Sequence, residues 1–107
     1  MSWEVEFLFE DTLDYVNALD KPTRAKVYRL FSFIEERGPH LPAPNCKPLG
    51  DGLFELSTSG RNAQRFYATA IRPIVYILGH GNKKSERQQQ RDIAAARQRL
   101  RTFRGGR

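Results

Sequence analysis

Between His80 and Asp92 the chain reads HGNKKSERQQQRD, which crowds Lys83, Lys84, Arg87 and Arg91 into one short stretch. Neighbouring like charges are tolerated where water, acidic groups or phosphates compensate them. Crowding among cations also lowers a lysine's pKa towards the range in which an amine exchanges protons near neutral pH. Arginine stays charged and suits bidentate contact with a phosphate. A second pair lies upstream in RNAQRFYA, with Arg61 in a loop and Arg65 inside a strand pattern. There Arg65, Tyr67 and Thr69 share one face, while Gln64, Phe66 and Ala68 share the other. A strand arginine among apolar residues needs a partner, either an acid across the sheet such as Glu55 or a phosphate. Tyr67 offers a ring for stacking a base or serves as a core aromatic. His80 is either a proton donor or a structural histidine at a strand end. Arg87 and Arg91 extend the basic set along the following helix. Cations in a first helical turn oppose the helix dipole, whereas a phosphate settles there readily.

Other chemistries lack their residues. His40 and His80 are the two histidines and Cys46 is the one cysteine, so neither a metal site nor an intramolecular disulfide is expected, and no cofactor is implied. No GxSxG elbow accompanies Ser57 or Ser59, and the GDG and GHG glycines match no phosphate-cradle fingerprint. No stretch approaches the roughly 20 apolar residues of a spanning helix. A soluble cytoplasmic protein that avoids membranes is expected.

These side chains must be positioned by one small domain. A chain of 107 residues, 39% hydrophobic and 11% aromatic, supports a single core over residues 1–107, with 104–107 a frayed tail. The net charge of +6 is unevenly placed: residues 1–79 hold 9 Lys and Arg against 10 Asp and Glu, and residues 80–107 hold 9 against 2. That asymmetry points to a polyanion or an acidic protein partner, or to a solvated basic helix. Alternation from Trp3 to Phe9 predicts a strand. Leu13, Val16 and Leu19 then begin a helical spacing, and Asp20-Lys21-Pro22 punctuates it. A second helix runs to about Arg37 with Val27, Leu30, Phe31 and Ile34 on one face, stopping at Gly38-Pro39. Four prolines between Gly38 and Gly52 predict a loop that cannot be helical and is poor at strand pairing. Strands over 53–57, 64–69 and 74–78 form an antiparallel meander. A last helix over 86–103 lays Ile93, Ala96, Leu100 and Phe103 on the sheet. The expected architecture is α+β, with the helices on one face of the sheet and the other face open.

The ordered series LGDGLFELS, RNAQRFYA and IVYILGHGNKKSERQQQRDIAAARQRL resembles the RelE/ParE superfamily of bacterial toxins, especially its HigB-like branch. The resemblance implies a RelE-like fold and the toxin of a type II toxin-antitoxin pair, partnered by a cognate antitoxin. It further implies a metal-independent endoribonuclease, an mRNA interferase, that cuts messenger RNA in the ribosomal A site and so inhibits translation. Carried over by position, Arg65 stabilises the transition state, Lys83 or Lys84 moves protons, and Arg61, Arg87 and Arg91 hold RNA, with Tyr67 and His80 beside them. The pattern departs from the family's at Phe54, where tryptophan is usual, and at Gly81, where an aromatic is usual. The last helix also has no tyrosine. Two alternatives stay open: a ParE-type toxin that inhibits gyrase without cleaving RNA, and a non-catalytic basic RNA-binding domain.

Overall fold

Four residues of alternating exposure, Glu4–Phe7, form β1, and they turn Val5 and Phe7 inward while Glu4 and Glu6 face water. A computed structural model describes residues 2–42, 45–82 and 85–106. After β1 come α1 (Glu10–Asn17), α2 (Lys21–Arg37), β2 (Cys46–Gly50), β3 (Leu53–Ser57), β4 (Gln64–Ile71), β5 (Ile74–Asn82) and α3 (Glu86–Gly105). The five strands make one sheet in the order β1-β5-β4-β3-β2. β1 joins β5 in parallel, while the other pairs are antiparallel.

The helix boundaries have local causes. Asp20 caps α2 by accepting from the Thr23 amide, and Pro22 occupies the first turn, where its missing N–H leaves no bond broken. α2 ends at Gly38, whose φ of +67° suits glycine, and a Cβ there would fall on the Trp3 indole. Ser85 caps α3 by accepting from the Gln88 amide at 3.1 Å.

The expectation of helices on one face is corrected. The α+β class and the RelE-like element order stand, but the sheet is a central layer. α1 and α2 pack on one side with Val16, Val27, Leu30, Phe31, Ile34, Leu56, Phe66 and Ile77. α3 packs on the other with Leu53, Tyr67, Leu78, Ala96 and Leu100. The two apolar sets on alternating strand positions each required a cover, so no sheet face was left over. The proline-rich segment is also corrected: 46–50 pairs with β3 as β2. It lies at the edge of the sheet, where Pro48 can sit without breaking a ladder bond on its outer side.

A register shift between Tyr67 and Ala68 pairs them with Gly79 and Ile77, so Leu78 is an extra residue in β5. Leu78 joins the α3 core, whereas Ile77 joins the α1/α2 core. The bulge inverts the alternation beyond it: His80 stands opposite Phe66 and Gly81 opposite Arg65. No described helix is long and apolar enough to cross a membrane.

Candidate nucleic-acid interface

β4 carries Arg65 between Ser57 of β3 and Gly81 of β5. Gly81 leaves room for α3 to come down onto the strand, because a Cβ there would fall on the Asp92 carboxylate. α3 therefore roofs this end of the sheet. Under it lie Glu55, Arg65 and Tyr67, with Gln89 and Asp92 reaching down from the helix. Glu55 is buried at 6% exposure, and its Oε2 accepts from Gln89 Nε2 at 3.1 Å. Arg65 Nε stands 3.7 Å from Glu55 Oε1, an ion pair too long to be a hydrogen bond.

Three donors in this cluster have no hydrogen-bond acceptor among the described residues: Arg65 Nε, Arg65 Nη1 and the Tyr67 hydroxyl. Each buried and unsatisfied donor costs about 1 to 3 kcal/mol. Three at one place form a cluster of donors able to meet a shared acceptor. Burial pushes the Tyr67 phenol well above its ordinary pKa, the Glu55 and Asp92 carboxylates push further, and Arg65 opposes them. Tyr67 is thus a neutral donor throughout the physiological range and no proton acceptor.

The other expected residues divide. Arg61, in the turn from β3 to β4, is exposed at the same end of the sheet, as are Arg87 and Arg91 on α3. His80 is not beside Arg65. It faces α1, where its ring stacks on Tyr15 at 4.1 Å between centroids and its Nδ1 lies 2.9 Å from Thr12 Oγ1. Burial lowers its pKa, and Asp11 and Asp92 offset this only in part, so the ring is neutral at pH 7. Lys83 and Lys84 lie outside the described residues.

Much of the C-terminal charge is spent inside the molecule. Arg97 donates to Leu49 O at 2.6 Å, Arg104 to Asp51 O at 2.8 Å, and Arg99 to Leu78 O at 2.9 Å. Arg99 also meets Asp11 at 2.8 Å, and its guanidinium holds that carboxyl below the usual carboxylate range. The asymmetry of charge is therefore partly a means of fastening α3. Sequence reasoning missed Gln89 and Asp92. Their spacing of three on a helix was the signal, obscured because QQQ resembles low complexity.

The family described as "Phage derived protein Gp49-like (DUF891)" matches residues 14–101. Among solved structures, the chain is similar to the Escherichia coli toxin RelE, a double arginine-to-alanine mutant in the free state. Identity is 12%, the TM-score is 0.65, and the likeness covers 88% of this chain and 97% of that one. At that identity the similarity establishes the fold. No sequence among the curated proteins matches.

Proposed function

The chain belongs to the Gp49-like family of phage-derived proteins, and from that premise we propose that it is the toxin of a toxin-antitoxin pair, a metal-independent endoribonuclease acting on messenger RNA at the ribosome. The observation that carries this reading is the set of unpartnered donors on Arg65 and Tyr67, at the sheet end where Arg61 and Arg87 are also exposed.

The chemistry follows from those donors. Attack of a ribose 2′-oxygen on the adjacent phosphorus builds negative charge on the non-bridging oxygens, which Arg65 Nε, Nη1 and the Tyr67 hydroxyl are suited to receive. The 2′-OH proton passes to a base, and Glu55 is the carboxylate paired with that guanidinium. The P–O5′ bond breaks as the 5′-oxygen takes a proton, a role assigned to Lys83 or Lys84 from their place after β5. The products are a 2′,3′-cyclic phosphate and a 5′-hydroxyl. Arg61, Arg87 and Arg91 hold the backbone, and a cognate antitoxin inhibits by covering the same end of the sheet. His80 has a structural role in this reading.

The test adds purified protein to ribosomes programmed with messenger RNA and maps cuts by primer extension. Arg65→Ala is expected to slow cutting by about a hundredfold, the size of one lost transition-state donor. Equal cutting by Arg65→Ala would overturn the reading, and equal cutting of naked RNA would remove the ribosome from it. Were the Glu55–Arg65 ion pair purely structural, the chain would be a toxin without chemistry, such as a gyrase-binding one, which inhibition of gyrase in the absence of any cut would select.

A further inference from the structure

On the far side of the sheet from Arg65, α2 and the β3–β4 turn enclose a groove of about 330 Å³. Its walls include Lys26, Arg29 and Phe33 from the helix and Asn45, Ser59 and Gly60 opposite. We infer that this groove is a second RNA subsite, which stacks a base of single-stranded RNA on Phe33 and holds the flanking phosphates with Lys26 and Arg29. The inference rests on the reading of the chain as an RNA-directed protein.

Phe33 is 45% exposed, an aromatic ring left open on a helix whose inner face is well covered. At 3.6 residues per turn Lys26, Arg29 and Phe33 fall within about 60° of one another, so both cations flank the ring on one strip. No acidic residue lines the groove, and neither cation engages a carboxylate among the described residues. On the opposite wall Asn45 Nδ2 donates to Ser57 O at 2.9 Å and to Ser59 Oγ at 3.4 Å, which leaves Asn45 Oδ1 and the Ser59 hydroxyl proton to meet a base edge. Aromatic stacking flanked by cations, with polar groups at the rim, is the usual chemistry for holding an unpaired nucleotide.

The position fits as well. The turn that closes the groove carries Arg61 and leads directly into β4 and Arg65, so one RNA strand passing over the end of the sheet meets both sites. A helical protein partner fits less well. Tyr28, the other exposed aromatic of α2, lies about 140° around the helix from Phe33, so the two do not form the continuous apolar stripe that a partner helix needs. A cleft of about 330 Å³ lies at the lower end of the range for small-ligand sites and suits one nucleotide-sized group.

The test uses a fluorescein-labelled single-stranded decamer of 2′-O-methyl adenylate, which cannot be cut, with anisotropy measured on the full chain across a salt series. Phe33→Ala is expected to weaken binding about tenfold, the effect of one lost stacked base, and Phe33→Trp to preserve it. The double change Lys26→Gln and Arg29→Gln is expected to reduce the slope of log affinity against log salt by about 1.4, or 0.7 for each phosphate contact. Loss of binding in Phe33→Ala supports the groove whatever the cleavage assay gives, so the subsite and the nuclease reading fail separately. Equal affinity of wild type and Phe33→Ala, or no measurable binding by the wild type, overturns the inference. Binding of an acidic, leucine-rich helical peptide that depends on Phe33, in place of RNA, would overturn it in favour of a protein partner.

Discussion

Arg65 and His80 show how far the role of a side chain depends on which neighbours reach it. Arg65 is tethered to Glu55 by charge yet keeps its directional donors free. Such a tether places the guanidinium without exhausting it. His80 is the reverse, a ring satisfied by Tyr15 and Thr12 and depleted of charge by burial. Its lowered pKa has a consequence for stability. Above the unfolded value of about 6.5 the ring is neutral in both states and stability is at its full level. As pH falls through that value towards the lower folded pKa, the unfolded chain binds the proton first and stability declines. Thermal melts between pH 7.5 and 5 are expected to show a falling Tm, and a shallower fall in His80→Asn. An equal slope in both proteins would assign the decline elsewhere.

Among the elements, α3 is the one that makes the site. It is fastened by Arg97 to Leu49 of β2, by Arg99 to the bulge of β5 at Leu78 and by Arg104 to the turn at Asp51, and its N-terminal half drops onto Gly81. Gly81→Ala is expected to lower stability by about 1 kcal/mol, because the methyl group forces the Asp92 carboxylate to swing away and breaks its contact with Gln88. Combining it with Asp92→Ala is expected to restore most of that loss, and denaturant titration of the two proteins checks it. Failure of the second change to restore stability would mean that the helix is not limited by this contact. The three helices and strands β1, β3, β4 and β5 were largely legible, since their apolar spacing, caps and stops agree with one another over 4–37, 53–78 and 86–105. β2 was not, because Pro48 reads as a strand breaker until its place at an edge is known. The grouping of Arg65 with Tyr67 could be read from alternation alone. The side on which His80 lies could not, since Leu78 carries no mark of a bulge.

At the scale of the whole molecule, two cores share one sheet. Phe66 and Ala68 belong to one and Tyr67 to the other, so a single strand joins the packing on both sides. The molecule should unfold as one unit. Leu100→Ala removes a side chain 2% exposed from the α3 core and is expected to cost about 3 kcal/mol. The fluorescence of Trp3, which sits in the opposite core, is expected to follow the same lowered transition as the far-ultraviolet signal of the helices. Separate transitions would show that the sheet does not couple its two sides.

The extra residue at Leu78 acts as a change of parity. Two chains of this fold could carry the same amino acids in the same order, differ by one such insertion, and present the imidazole on opposite surfaces. In one it would stand with the guanidinium as a titrating neighbour; in the other it would stack, half-buried, on the ring of a helix across the sheet. A search for chemistry in relatives of this protein therefore has to count positions from the bulge, because resemblance of residue types on either side of it says nothing about which of them meet.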